Sequence, residues 1–511
     1  MTGAERTVQS GVADLVAAIE RAAGDLGLAE EPARFLATLE AGAPGADPPP
    51  REPPAATRSG EPRPGELTEA CLGRIERLDG RLRAFITVDA DRAREVARRR
   101  ATEARAGRRI GPLHGIPLAY KDLFAIRGLS ASCGTQTDEY FIAEREATAV
   151  SRLEAAGAVT LGTLNMSELA TGPFGDNAHR GDVQNPWRPG HVAGGSSSGS
   201  GAAVAAGLAF AALGTDTGGS IRLPAACCGI VGLKPTYGRV SRAGVMPLSW
   251  SLDHVGPMAR TVRDAATLLA VIAGPDPYDA TTSGRPVPDY AARLDQSIAG
   301  LRIGVPENFY WDGIDAEVEA AGREAVRLLG ELGARVTDLP LPDPRILVDI
   351  SNLIARCESA AVHGRLVREQ PHALQPAVRA RLEIGLQVTA SDYLQATRLR
   401  ARLTRAFIRE VFGGVDVLVM PTIPEPAPAL AAVKAGTTDE VVRRMGRFSR
   451  LTRPWNGLGL PALSLPCGVS AAGLPVGLQV VGRPFDEATV LRAGHAYEQA
   501  AGWWRRRPAL D

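Results

Sequence analysis

Lysine is nearly absent from this chain. It occurs only at positions 121, 234 and 434, so 55 of the 58 basic side chains are arginine. A GC-rich genome is the bland cause, but the scarcity is informative. Where the chain keeps a lysine, a role that arginine could not fill becomes a candidate, because buried lysine can lose its proton and arginine effectively cannot. An excess of either charge is also missing. The 58 basic side chains face 57 acidic ones, which excludes a strongly basic nucleic-acid binder and a protein held to membranes by charge. The six cysteines (71, 133, 227, 228, 357 and 467) form no CxxC pair and read as reduced, mostly buried thiols. The seven histidines include no HExxH, so no metal site is expected and no cofactor is needed. The longest apolar run worth testing, Gly201–Leu213, is mostly Ala and Gly and falls short of the roughly 20 residues a membrane span requires. The N-terminus has no basic segment followed by an apolar one, so no signal peptide is expected. A soluble cytoplasmic protein is the expectation.

What is present is length and pattern. The 511 residues, 45% apolar and 23% charged, can bury a large core without a disulfide or metal staple. Residues 1–43 read as a small helical extension, with Val12, Leu15, Val16, Ile19, Ala23 and Leu26 at helical spacing. Eight prolines between Pro44 and Pro64 make 44–65 a semi-extended linker. From residue 66 to 511 short apolar runs alternate with helical stretches, which predicts one large α/β unit. The strands expected are 116–120, 158–161, 301–305, 415–420, 462–465 and 477–481. The helices expected are 89–106, 148–156, 201–211, 262–272, 316–332, 392–411 and 488–499.

Chemistry concentrates in 193–236, AGGSSSGSGAAVAAGLAFAALGTDTGGSIRLPAACCGIVGLKPT. A flexible linker would not enclose an apolar helix. A phosphate-binding loop would need the lysine of GxxxxGK[ST], which is missing. Gly195–Gly199 matches G-x-S-x-G around Ser197, the nucleophile turn of an α/β-hydrolase esterase. That turn needs a preceding strand, and 185–192 is a Pro-interrupted loop. It also needs a later His; those at 254, 363, 372 and 495 sit in no recognisable setting. A fourth reading uses both glycine clusters. The turn Thr215–Ser220 can converge its N–H groups on one point, as an oxyanion hole requires. No histidine lies in either cluster, so the base would be Lys121, at the end of the apolar run GPLHGIPLAYKDL, where burial would leave a neutral amine.

At this point the residues resemble the amidase signature enzymes. The resemblance runs from about residue 66 to 505 through GPLHGIPLAYKD, GGSSSGSGAAVAAG, GTDTGGSIRLPAACCGIVGLKPTYGRVS, DHVGPMARTVRDAA, GLPALSLPCG and GLPVGLQVVG. Lys121 precedes Ser196 by 75 positions and Ser196 precedes Ser220 by 24, in agreement with the family pattern. The resemblance implies an α/β amidase signature fold, a mixed, twisted central sheet covered by helices on both faces. It implies a Ser–cis-Ser–Lys triad in which Ser220 is the nucleophile, Ser196 the bridging serine on a cis peptide and Lys121 the base. The N–H groups of Thr217, Gly218, Gly219 and Ser220 would bind the oxyanion. Ser197 would hydrogen-bond Lys121, and Asp216 with Arg222 would form a supporting ion pair, a plain N-cap being the alternative for Asp216.

The reaction implied is hydrolysis of amide C–N bonds through an acyl-enzyme, a route that also admits aryl esters and carbamates (urethanes). The glutaminase subunit of a tRNA-dependent amidotransferase is the alternative within the family. Against it stand the long N-terminal flank and the stretch FSRLTRPWNGLGLP, which lacks the acidic residue that branch uses for the glutamine amine. IRLP also replaces the glutamine-containing form usual there. In favour of it, Arg379 or Arg381 could meet a substrate carboxylate. Substrate choice is expected to lie in 128–140, 171–177, 350–399 and 448–455. Phe174, Trp250 and Trp455, with Trp311, are candidate walls of an apolar pocket, core packing being the alternative for each. The partner expected is a small amide-like molecule, with no nucleic acid or membrane and with a homodimer as the assembly, the N-terminal helices being one candidate contact.

Overall fold

The computed structural model describes residues 64–138 and 141–510. The N-terminal helical extension and nearly all of the Pro-rich linker lie outside the described residues, as does Tyr140.

The strands, in chain order, are β1 Phe85–Val88, β2 Pro117–Lys121, β3 Ser130–Ala131, β4 Phe141–Ile142, β5 Val159–Leu164, β6 Ala211–Asp216, β7 Val231–Lys234, β8 His254–Ala259, β9 Arg302–Pro306, β10 Arg335–Leu339, β11 Val417–Pro421, β12 Ala462–Val469 and β13 Pro475–Gly482. Eleven of them form one sheet in the order β1-β5-β2-β6-β8-β7-β12-β13-β11-β9-β10; β3 and β4 pair separately. The sheet is mixed. β2 runs parallel to both β5 and β6, whereas β12 and β13 pair antiparallel to each other and to their outer neighbours.

Helices cover both faces. A Cβ on Gly477 would strike Ala226 of the helix Arg222–Cys228, and one on Gly482 would strike Val490 of the helix Glu487–Ala501. The two glycines are an odd number of residues apart on β13, so they look out of opposite faces. Helix Ala316–Glu331 shows how such a helix is specified. The Asp315 side chain caps it by accepting from the Glu317 N–H at 2.8 Å, and Val318, Gly322, Ala325 and Leu329 are its buried positions, spaced as one helical face.

Most expected elements fall within a few residues of their predicted spans, and helix Val262–Ile272 coincides with its own. The run 201–211 differs. Its helix spans Ser198–Ala205 and stops at Gly207, which takes φ 69°. The Leu208 N–H then reaches back to the Ala203 carbonyl at 2.8 Å, a glycine-terminated helix end. Ala211 already belongs to β6. An unbroken small apolar run carries no period that separates helix from strand. The described cysteines are free, and all but Cys357 are buried. No described helix is long and apolar enough to cross a membrane.

Candidate active site

Lys121 is the last residue of β2, and its neighbour β6 runs parallel to it, pairing Tyr120 with Leu213. The site therefore opens at the carboxyl ends of central strands, where adjacent chain segments diverge and leave a crevice. Lys121 is completely buried. Its Nζ lies 2.7 Å from Ser196 Oγ and 2.9 Å from Thr215 Oγ1. Burial lowers its pKa to about 7, against which Asp253 and Asp216 pull weakly upward. The Gly195–Ser196 peptide bond is cis.

Ser197 does not take the expected place. Its Oγ donates to the Thr215 carbonyl at 3.2 Å and accepts from the Thr215 N–H at 3.3 Å, so the second hydroxyl on Lys121 is that of Thr215. The reason is local. A side chain at Gly214 would collide with Ser197 Oγ, so Ser197 is packed against the β6 backbone and bonds to it. It is fully buried, and its Oγ meets no histidine among the described residues.

Ser220 ends the turn that follows β6 and borders a cavity lined also by Thr217, Gly218, Arg381 and Arg453. Asp216 shapes this turn from beneath. It accepts from the N–H groups of Gly219 at 2.7 Å and Ile221 at 3.2 Å. This corrects the expected oxyanion set: the Gly219 N–H is already committed to Asp216. Those of Thr217, Gly218 and Ser220 donate to no protein acceptor among the described residues. Gly219 sits at φ 130°, and a Cβ there would overlap Thr452 Oγ1, so the turn requires glycine at that point.

Asp216 and Arg222 form a buried bidentate pair, with Arg222 Nε 3.0 Å from Oδ2 and Nη2 2.9 Å from Oδ1. Burial pushes the Asp216 carboxyl up, but the guanidinium outweighs it and holds the group well below the carboxylate range. Arg222 also donates to Gln479 Oε1 and Asn456 Oδ1, both at 2.7 Å, and to the Thr452 carbonyl at 2.9 Å. Asn456 Nδ2 returns to Asp216 Oδ1 at 2.8 Å. Asp216 thus caps the turn and pairs with Arg222 at once. On the other flank Asp253 accepts from Thr217 Oγ1 at 2.6 Å, and burial raises its pKa. Thr215, Asp253, Asn456 and Gln479 do not stand out in the sequence. All four do lie inside segments quoted above, GTDTGGS, DHVGPMA, RPWNGLGLP and GLPVGLQVVG, where adjacency is the available signal.

The aromatic candidates separate. Trp455 is fully buried, its ring 5.6 Å from Tyr310 and nearly parallel to it. It is core: its ring also packs edge-on against Phe407 at 5.9 Å, and it does not line the cavity at Ser220. Phe174 is buried against Phe448 at 5.3 Å, and Trp311 is buried beneath Arg323. Trp250, 44% exposed, does line a cavity, a second one of about 250 Å³ that Thr215, Arg242 and Asp253 share. Of the two arginines expected to meet a carboxylate, Arg379 pairs with Glu383 at 2.7 Å; Arg381 borders the cavity at Ser220.

The chain is similar to known proteins over most of its length. The family model described as Amidase matches residues 66–491. A relative from Roseiflexus sp. (strain RS-1), named as a glutamyl-tRNA(Gln) amidotransferase subunit, is 44% identical over 467 residues, covering 87% of this chain and 94% of its own. A solved structure described as a vestigial protein complex revealing the origins of an s-triazine catabolic enzyme superimposes with TM-score 0.81. It is 35% identical and covers 89% of this chain and 97% of its own. Native peptide amidase from Stenotrophomonas maltophilia is likewise 35% identical, with TM-score 0.76, over 89% of this chain and 96% of its own.

Proposed function

This chain belongs to the amidase family, the amidase signature enzymes, and from that membership we propose that it is a hydrolase of small amides acting through Ser220, Ser196 and Lys121. The observation that carries the reading is a fully buried lysine, in no ion pair among the described residues, 2.7 Å from a serine hydroxyl. An amine with a pKa of about 7 is half neutral at working pH and can accept a proton. Lys121 takes the Ser196 proton as Ser196 takes that of Ser220. Ser220 Oγ then attacks the carbonyl. The N–H groups of Thr217, Gly218 and Ser220 receive the oxyanion, Ser196 protonates the leaving nitrogen, and water hydrolyses the acyl-enzyme. Aryl esters and carbamates fit the same route.

The test is peptide-mapped mass spectrometry after exposure to a fluorophosphonate, on the wild type and Ser220→Ala. The label is expected on Ser220 and absent from the variant. A label on Ser197 would move the nucleophile to the esterase-type turn, and an unlabelled wild type would overturn the mechanism. The name of the Roseiflexus relative supports a second reading, a glutaminase that supplies ammonia to a partner. Ammonia release from L-glutamine only in the presence of such partner subunits would favour it. The cavity chemistry favours a hydrolase acting alone, because Ser449 and Arg453, with no carboxylate, line its wall.

A further inference from the structure

Beside the bridging serine lies a corner of the chain that the reaction above does not use. Leu169 and Ala170 follow one another at φ 47° and 57°. Both are in the left-handed region and neither is a glycine. A side chain disfavours that conformation, so the contacts around the corner must impose it.

The corner bears directly on the site. The Ser167 N–H donates to the Ser196 carbonyl at 3.1 Å. Ser167 Oγ donates to the Gly172 carbonyl, also at 3.1 Å, and both oxygens press on the residue before Ser196. A Cβ on Gly195 would fall 2.7 Å from Ser167 Oγ and 2.6 Å from the Gly172 oxygen. Ala170 borders both cavities. Residues 167–172 are therefore the floor on which Ser196 rests.

Glu168 holds that floor from within. Its side chain is completely buried and meets donors from three separate segments. Oε1 accepts from Thr135 Oγ1 at 2.8 Å and from His179 Nε2 at 3.0 Å, and Oε2 accepts from the Gln375 N–H at 2.8 Å. The donors are themselves fixed. Asn177 Oδ1 accepts from the His179 N–H at 2.8 Å, and its Nδ2 donates to the Gly134 and Met166 carbonyls, each at 2.8 Å. Gln375 is the residue before the helix Pro376–Gln387. An ionised carboxylate accepts on both oxygens, whereas a glutamine of the same shape would turn one of them into a donor facing donors.

Resting on the serine mechanism above, we propose that Glu168 is a positioning residue for the proton relay. Its carboxylate fixes the corner 167–172, and the corner, through the Ser167 N–H and the contacts on Gly195, fixes Ser196 between Lys121 and Ser220. Glu168 touches no reacting atom. It sets where the Ser196 hydroxyl stands, and a displacement of about 1 Å costs such a relay on the order of a hundredfold.

The experiment times fluorophosphonate labelling of Ser220 on the full chain and separates kinact from KI. Final label per chain and melting temperature are read alongside. Glu168→Gln is expected to lower kinact by at least about tenfold while KI and the final label stay at the wild-type values. In a Ser196→Ala background the same substitution is expected to change kinact less than about twofold, because the group it positions is gone. If Ser196→Ala takes no label, the split between kinact and KI decides alone. If Glu168→Gln does not fold, Thr135→Val removes one of the three donors and is read the same way. An unchanged kinact would overturn the positioning role and leave the serine mechanism standing. So would a loss confined to melting temperature and final label, or an equal fall without Ser196. An unlabelled wild type would overturn both.

Discussion

Raising the pH from 6 to 8 should accelerate the reaction of Ser220 with a fluorophosphonate about tenfold. The perturbation acts on Lys121. Its amine, with a pKa of about 7, is roughly one-tenth neutral at pH 6 and nine-tenths neutral at pH 8. Only the neutral form can accept the Ser196 proton, so the second-order labelling rate should rise along a single titration and level off above pH 8. The probe needs no knowledge of the natural substrate, which makes the profile a test of the base alone. Two variants give it direction. Asp253 favours the charged lysine, so Asp253→Asn should move the midpoint down. Thr215→Val removes an oxygen 2.9 Å from Nζ that supports the ammonium, and it should move the midpoint the same way. Stability carries the opposite mark of the same burial. Between pH 7 and 10.5 the unfolded chain binds the lysine proton and the folded chain does not, so this group's penalty is complete below pH 7 and is relieved as the pH rises through that window. Lys121→Met should therefore abolish labelling while melting no lower than the wild type at pH 6. A flat rate between pH 6 and 9, or a midpoint near 10, would refute the assignment of Lys121 as the base.

The other expectations concern what holds the site. Asp216→Asn should cost about 3–5 kcal/mol in chemical denaturation, since it leaves Arg222 buried and uncompensated; a loss under 1 kcal/mol would show the pair to be dispensable. Trp455→Ala should cost a similar ~3–5 kcal/mol as a core truncation. Trp250→Ala, at a half-exposed position, should change the denaturation midpoint little, and equal losses for the two would contradict the core assignment of Trp455. Gly219→Ala should eliminate Ser220 labelling, because its Cβ would overlap Thr452 Oγ1; retained labelling would mean the turn can shift.

Lysine scarcity points to three positions at once, and the structure tells them apart. Lys434 sits at the surface beside Asp182. Lys234 is as buried as Lys121 and its pKa is driven well down by burial and by Arg222, but its Nζ meets only the Pro235 carbonyl, at 3.1 Å. What separates Lys121 is the company of Ser196 and Thr215, and that depends on β2 lying beside β6. Composition cannot show strand order. The same limit explains the missed elements. β10, RVTDL, is mostly exposed and has none of the apolar run that marks the inner strands. β6, AALGTD, is so rich in small residues that no strand is expected there, and its first residue, Ala211, falls within the expected helix. Arg453 and Trp455 lie two residues apart on one short helix, one facing the cavity and the other the core. The sequence leaves Trp455 open between pocket wall and core and gives no sign of Arg453, because a buried arginine leaves no periodic trace.

Arg222 and Asp216 hold the scaffold of the site together. A turn that must present several N–H groups to a single point has few backbone partners of its own. Asp216 supplies them from below, and Arg222 neutralises Asp216 while reaching Thr452, Asn456 and Gln479, so β6, β13 and the segment before β12 are tied to the position of Ser220. Every polar atom in that network has its counterpart, and a satisfied buried network specifies one arrangement. On the far side of the same turn the positive charge of Arg381 and Arg453 has no counterpart among the described residues.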